Sequence, residues 1–418
     1  MKKFKELLLA IYLILNMLYV LVGSYLVISK VINIWKFSRG EIFLLILNIV
    51  VLIILFIINK IKKRLKFNIT DIFLLLMVIF GIISVIFAVK PKVALFGFSG
   101  RYEGFFQLLY YYSVYLLSTF VDKKYKKIVV YGLLFCGLVE AVYAILQKTQ
   151  WLIVITQFHH KSPWATAFIT NPNFFGSLMI LCLSFSLGLF IDLNKFYFKI
   201  INGLLVFLFM VGLLMSNTLS ALVGLFVVFI YILVYVIKQK KFKDFMIIIF
   251  ILLSTSVLIH VSKKTYLLED IIIKKNQTVD IAHGKMDDSY GSNRIYIWKN
   301  TLKVVPENFW NGVGIDNYYY AFGKKPLSMK GWFFDKAHNE YLQILVCEGI
   351  FALVSYLLLF GWVTIKGMIN SFKNKEIYLV LPVIGYLVQA FFNISVIEVA
   401  PFFYISLGLL LERDKFFS

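Results

Sequence analysis

The sequence predicts an all-α polytopic membrane protein with about twelve transmembrane helices. Three observations predict it. Of its 418 residues, 61% are hydrophobic and the mean hydropathy is +0.84, far more apolar than a soluble chain of this length. The apolar residues fall in runs of about 20, the length a bilayer-crossing helix needs. The basic residues behind the formal charge of +21 come in short clusters between those runs, the pattern of cytoplasmic loops rather than of a nucleic-acid surface.

Taken in order, the runs are 7–28, 41–59, 70–89, 105–121, 128–147, 172–191, 199–217, 219–237, 244–261, 339–361, 377–394 and 396–412. The first follows Met1-Lys2-Lys3, is too long for a signal-peptide core and lacks a small-residue cleavage site, so it reads as a retained span. The stretch "MSNTLSA" (Met215 to Ala221) divides one long run into two spans. Cys136, Cys182 and Cys347 all lie in apolar segments, which argues for packed thiols rather than a disulfide or metal site.

Lysine and arginine orient the set. Clusters follow the second span (Lys60, Lys62, Lys63, Arg64, Lys66), the fourth (Lys123, Lys124, Lys126, Lys127) and the eighth (Lys238, Lys240, Lys241, Lys243). Lys2, Lys3 and Lys5 at the N-terminus and Arg413 and Lys415 at the C-terminus match them. In a twelve-span arrangement all fall on one side, so both termini are expected in the cytoplasm.

Three segments on the opposite side have unusual content. They are Lys90 to Phe105, Lys148 to Asn173, and Ser262 to Asn339. Residues 262–338 are too long for a plain connector and form one large extracytoplasmic loop between spans nine and ten of a single integral membrane domain, 1–418. Trp298, Trp310, Trp332 and many tyrosines mark the loop as folded rather than disordered. Within it, "GSNRIYIWKNTLKVVPENFW" reads as a short helix with Ser292 or Asn293 as cap and Pro306 as stop. Ile295, Trp298, Leu302 and Val305 share one face at helical spacing. "NGVGIDNYY" (Asn311 to Tyr319) follows as a glycine turn.

Across these segments stand "GRYEGF" (Gly100 to Phe105) and "NPNFFG" (Asn171 to Gly176), then Arg294-x-x-x-Trp298, Pro306, Gly312-x-Gly314, His338-Asn339-x-Tyr341-Leu342 and Glu348-Gly349. In this order the motifs resemble the O-antigen ligase and polymerase family of membrane glycosyltransferases. The resemblance implies a GT-C-like helical bundle. It also implies an undecaprenyl-diphosphate-linked oligosaccharide donor, a glycan or glycolipid acceptor hydroxyl, inversion at the transferred sugar, and neither metal nor other cofactor. His338 and Arg294 are then the catalytic candidates, as general base and diphosphate ligand. Arg101, Glu103, Asn173, Trp298, Asn339 and Tyr341 are the substrate-binding candidates.

Elementary chemistry asks for the same residue types. A departing lipid diphosphate needs its charge stabilised, and a guanidinium fork matches phosphate oxygens. An acceptor hydroxyl needs a base near neutral pH, which suits histidine. His338 sits at a predicted helix N-terminus, whose positive end would keep the ring neutral. Asp335, Glu340 and Glu103 stand close in sequence to orient these groups, and Glu103 is positioned to pair with Arg101.

Plainer readings stand beside these: His338 as a helix anchor, Arg294 as a surface charge, Arg101 as a lipid-headgroup contact. His159-His160 lacks further ligands at usable spacing and reads as loop, and His283 as an exposed turn. Glu140 and Glu348, at or within spans, read as structurally paired acids. The family's arginine in the turn between spans seven and eight is replaced here by Leu219, so Arg101 or an outer-loop lysine must supply that charge, or the diphosphate is held differently. The richness in Lys, Ile, Phe and Asn points to an AT-rich genome, as in many Gram-positive bacteria, where a capsule or wall polysaccharide polymerase is the natural role; a ligase stays open. The competing class is a lipid-linked glycan flippase or other polytopic transporter, but no internal repeat of transporter type is present and the polar residues gather on one face.

Overall fold

A computed structural model describes residues 2–61, 68–148, 164–169, 171–283, 287–323 and 325–411. His159-His160 and the basic residues Lys62, Lys63, Arg64, Lys66, Arg413 and Lys415 lie outside the described residues. The chain is helical almost throughout, and its described strands are one two-residue antiparallel pair, Ser328–Met329 with Trp332–Phe333.

Among the described residues, nine helices are long and apolar enough to cross a bilayer. They are α1 (Lys2–Ile28), α2 (Ile34–Ile61), α3 (Ile69–Ile86), α6 (Lys123–Lys148), α7 (Pro172–Asp192), α8 (Phe196–Met215), α9 (Leu219–Gln239), α10 (Phe242–Val261) and α14 (Ile350–Asn374). Three expected spans are shorter helices: α5 (Phe105–Thr119) with 15 residues, α15 (Ile377–Ala390) with 14 and α16 (Ala400–Leu409) with 10. The expected tenth span, 339–361, is not continuous. It breaks at Gly349 into α13 (Glu340–Glu348) and α14. Short α4 (Pro91–Phe96), α11 (Leu267–Ala282) and α12 (Arg294–Val304) complete the set.

α7 is the axis of the bundle. Every residue from Phe174 to Ile191 is buried, enclosed by α15, α8, α9, α6 and α10. Small residues permit that closeness: a Cβ on Gly188 would stand 2.3 Å from the Tyr378 backbone, and one on Gly224 2.6 Å from the Gly385 carbonyl. This is the small-residue packing on which membrane helices depend. Asn171 caps α7 by accepting from Asn173 N–H at 2.8 Å, with Pro172 at the first helical position.

The lysines at the opposite ends of the helices hold the bundle as well as mark a side. Lys126 is buried and donates to the Leu409 and Leu411 carbonyls at 2.7 and 3.2 Å, satisfying orphan carbonyls at the end of α16. Lys123 pairs with Glu376 before α15 at 3.2 Å, and Lys241 donates to the Ile191 carbonyl at the end of α7.

The break at Gly349 has a steric cause. Its φ is +86°, and a Cβ there would lie 2.1 Å from the Trp310 carbonyl oxygen. Gly312, with φ +68°, meets the Cys347 backbone equally closely, at 2.2 Å. The 309–314 turn thus lies against the α13–α14 junction, tied by Val313 N–H to Val346 O and Gly314 N–H to Cys347 O, both 2.9 Å, and by Ile350 N–H to Phe309 O at 2.8 Å. Gly349→Ala is expected to cost about 2–4 kcal/mol, from a disallowed φ plus the backbone clash. Gly100→Ala, where φ is +90° but nothing lies within 4 Å of the added carbon, should cost only about 1 kcal/mol. Thermal unfolding of the two purified variants, followed by loss of monodisperse protein in detergent, checks the difference in size.

Candidate active site

The site is assembled by three segments that the sequence separates widely: the 97–104 loop, the Arg294–Phe309 helix and turn, and the 335–340 approach to α13. Asp316 joins two of them. Its Oδ2 accepts from Phe98 N–H at 2.6 Å and Glu103 N–H at 3.2 Å, while its Oδ1 pairs with Lys336 Nζ at 2.5 Å. Both residues are buried. Burial pushes the Lys336 ammonium down, but Asp316 and then Glu103 outweigh it and its pKa is raised.

Arg101 is carried by the same loop. It pairs with Asp335, Nε to Oδ2 at 2.7 Å and Nη2 to Oδ1 at 3.4 Å, and lies over the Phe174 ring at 5.6 Å. Burial alone would push the Asp335 carboxyl up, yet the Arg101 guanidinium holds it below its ordinary value. The expected Arg101–Glu103 pair does not form. Glu103 turns inward, accepts from the Tyr111 hydroxyl at 2.6 Å, and is lifted to about 8 by burial, with Lys336 and that hydrogen bond opposing. Two residues apart in a tight loop, the two side chains leave the backbone in different directions, and Asp335 wins the guanidinium.

His338 feels the charge of both arginines. Its backbone is left-handed, φ +49°, and the ring is half-buried. Burial first, then Arg294 and Arg101, lower its pKa to about 4 against the pull of Asp335. The ring is thus neutral at pH 7. The sequence expectation of a neutral ring is met in direction but its cause is different: desolvation and two guanidiniums rather than the α13 terminus. Among the described residues no hydrogen bond occupies either ring nitrogen, so one stays open to accept a proton.

Arg294 opens α12. Its Nε and Nη2 donate to the Phe392 carbonyl at 3.0 and 2.8 Å, and its Nη1 to the Gly291 carbonyl at 3.1 Å. No carboxylate among the described residues pairs with it, and burial lowers its pKa. A half-buried guanidinium bonded only to neutral carbonyls keeps its charge uncompensated, and an anion would supply the missing partner. Asn293 occupies the cap position with φ +67°, as expected in place, but its side chain makes no capping bond. The buried face of α12 is Ile297 and Thr301, with Trp298 and Val305 at its edge, whereas Leu302 is exposed. The expected apolar stripe is therefore rotated, because the helix packs on the loop's own small core rather than on a flat surface.

The remaining candidates surround the 391–395 turn. Trp298 Nε1 donates to the Ala337 carbonyl at 3.0 Å and its ring meets Phe391 edge-on at 5.5 Å. Asn339 caps α13, its Oδ1 accepting from Leu342 N–H at 3.0 Å. Tyr341 donates to the Leu387 carbonyl at 2.8 Å. The Asn173 carbonyl accepts from Asn393 Nδ2 at 3.2 Å and Gln389 Nε2 at 3.4 Å, which brings the top of α7 to the same turn. Glu340 accepts from Ser395 N–H at 2.7 Å and its hydroxyl at 2.9 Å, so this acid supports the turn rather than the histidine. Leu219, where the resemblance leads us to expect an arginine, packs against the apolar core. His283 is an exposed helix end, as expected.

Sequence reasoning did not single out Asp316 or Lys336. The only local signal was a glycine turn with an acid in it and a lysine next to Asp335; the pairing needs the fold. Among the described residues, no group of three or more His, Cys, Asp or Glu side chains is arranged to hold a metal ion.

Residues 204–357 match the model of the O-antigen ligase family. The match includes Arg294, Trp298, His338, Asn339 and Tyr341, while Arg101, Glu103 and Asn173 precede it. No curated protein matches the chain.

Two outcomes test the geometry. Lys336→Met strands a buried carboxylate and should cost about 3 kcal/mol or more, while Lys336→Met with Asp316→Asn should recover much of it, since removing both charges spares the desolvation penalty; a double-mutant cycle on unfolding midpoints measures this. The His338 ring, assigned by its loss in His338→Gln, should titrate near 4 by NMR, and Arg294→Gln should move it up toward 6.5. Because the folded pKa lies below the unfolded one, the neutral ring's contribution to stability is full above about pH 6.5 and declines as pH falls toward 4.

Proposed function

We propose, from the match of residues 204–357 to the O-antigen ligase family model and from the membrane-length apolar helices, a glycosyltransferase acting at the outer face of the cytoplasmic membrane, with both termini in the cytoplasm. The donor is an undecaprenyl-diphosphate-linked oligosaccharide. The acceptor is a hydroxyl of a glycan or glycolipid, and the product is a surface polysaccharide, extended by a polymerase or attached by a ligase. The observation that carries the reading is a His338 ring kept neutral by burial and by the charges of Arg294 and Arg101, with no hydrogen bond to either nitrogen among the described residues, together with an Arg294 guanidinium that has no carboxylate partner among them.

In the reaction, the acceptor oxygen attacks the anomeric carbon of the donor sugar and its proton passes to the open nitrogen of His338. The bond from that carbon to the diphosphate oxygen breaks with inversion, and the electron pair leaves on the diphosphate. Arg294 takes the developing charge, because its guanidinium is held in a low-dielectric recess before substrate arrives. Arg101 is steadied by Asp335 and also lies over Phe174, where it borders the same anion. Glu103, protonated in part near pH 8, Asn173, Trp298, Asn339 and Tyr341 line or brace the surrounding surface, with Trp298 offering a ring face to sugar.

A depressed base pKa has a cost in driving force, offset once the diphosphate arrives. Its negative charge neutralises Arg294 and Arg101, so the ring's pKa rises toward the ordinary value when substrate is bound. Binding therefore tunes the base upward at the moment it is needed.

Purified protein given synthetic undecaprenyl-diphosphate oligosaccharide in EDTA should lengthen the glycan or transfer it to an added acceptor. His338→Ala and Arg294→Ala should each lower the rate by at least about 100-fold, the scale of losing a general base or a charge-stabilising donor. Full activity in His338→Ala removes the base role. No turnover by the wild type, with translocation of the glycolipid in vesicles instead, replaces the enzyme with a flippase.

A further inference from the structure

α11 is a long outer-segment helix whose placement the catalytic reading leaves unused. It is anchored to the hinge before α9: Asn217 donates its amide to Asp270 and accepts from Thr265 Oγ1 at 3.3 Å and Tyr266 N–H at 3.2 Å. Further along, Gln277 Oε1 accepts from Gly291 N–H at 3.3 Å, and Tyr290 donates to Asp280 at 3.0 Å. Asp270, Lys274, Gln277 and Asp280 are half-covered, whereas Ile271, Ile272, Ile273, Lys275 and Asn276 are exposed. Spacings of four, three and three put the covered residues on one helical face, turned to the protein.

Lys274 sits on that face between two fixed points, one turn after Asp270 and one turn before Gln277. Gln277 holds Gly291, and the Gly291 carbonyl is the partner of Arg294 Nη1. The lysine thus shares the covered face of α11 with the residue that holds Gly291, the partner of Arg294. The electrostatics agree: burial, then Arg294, lower the Lys274 pKa, with Asp270 opposing. Like charges repel, and the described residues give Lys274 Nζ no hydrogen bond or ion pair. Elsewhere around the site the cations are neutralised, Arg101 by Asp335 and Lys336 by Asp316. Two adjacent cations without a carboxylate between them are a poor arrangement in the empty protein and a good one around a doubly charged anion.

We infer that Lys274 is a substrate-binding residue that grips the donor diphosphate together with Arg294, each cation facing one phosphate. The assignment rests on the glycosyltransferase reading for the identity of the anion.

The test uses the full chain in detergent, with farnesyl diphosphate and farnesyl monophosphate as probes and calorimetric titration as readout. Lys274→Gln should weaken diphosphate binding about tenfold or more, the scale of one charge-assisted contact, and monophosphate binding less. Lys274→Arg should restore it, and Lys275→Gln, on the exposed face, should leave it unchanged. Diphosphate affinity unaltered in Lys274→Gln, or an equal loss in Lys275→Gln, overturns the assignment. Donor turnover in the same preparations separates the two levels. If the wild type transfers glycan and Lys274→Gln keeps its donor KM, Lys274 is excluded while the reaction stands. If Lys274→Gln loses diphosphate affinity but the wild type transfers nothing, the anion site stands and the glycosyltransferase reading falls.

Discussion

The ion pair between Asp316 and Lys336 is the constraint on which the site depends. A buried ammonium is tolerated only when paired and hydrogen-bonded, so Lys336 compels Asp316 to its place. Asp316 in turn fixes the 97–104 loop by holding Phe98 and Glu103 N–H. Because Lys336 is flanked by Asp335 and, two residues on, His338, one electrostatic requirement registers three things at once: the loop that carries Arg101, the carboxylate that orients it, and the ring. The turn bearing Asp316 is itself locked to α13 through Gly312 and Gly314, where no side chain fits.

A second requirement is set by irregular backbone between α15 and α16. Peptide groups away from water must find partners inside the protein. Here Arg294 satisfies the Phe392 carbonyl and Glu340 the Ser395 N–H, while Asn393 reaches back to the top of α7. One turn thereby draws together residues from positions 173, 294 and 340. The bonds from Arg294 to neutral carbonyls fix its guanidinium without cancelling its charge, which is the condition a preorganised anion site must meet.

The membrane class and the apolar runs were legible in the sequence because a span announces itself by length alone. Of the motif residues, what was legible is nearness in the fold: Arg294 bonds the Phe392 carbonyl, and Trp298 packs on Phe391 and Phe392 and bonds Ala337, the neighbour of His338. Pairing was not legible. Arg101 passes over Glu103, its neighbour in sequence, for Asp335, and Lys336 finds Asp316 across an intervening turn, because three-dimensional reach decides which carboxylate meets which cation. The rotation of α12 was hidden for a related reason: Ile297 and Thr301 face inward only because Val313, Tyr318, Ala337 and Val346 form a core on that side. Helix continuity across 339–361 was misread because Gly349 looks like any glycine in an apolar run until the Trp310 carbonyl is placed against it.

The brevity of α15 and α16 sets the height of the turn between them. Both are rooted at the lysine-rich end, α15 beside Lys123 and α16 beneath Lys126. Fourteen and ten residues rise only about 21 and 15 Å, against a hydrocarbon layer about 30 Å thick. The turn that joins them, with the Arg294 guanidinium bonded to it, therefore stands less than one hydrocarbon thickness from the lysine-rich ends of these two helices. On the glycosyltransferase reading proposed above, a carrier headgroup would have to reach below the headgroup plane to meet His338, away from bulk water and its screening ions. On the same reading, a sugar added there would have to leave toward the outer segments, by a different door from the lipid tail that delivered it.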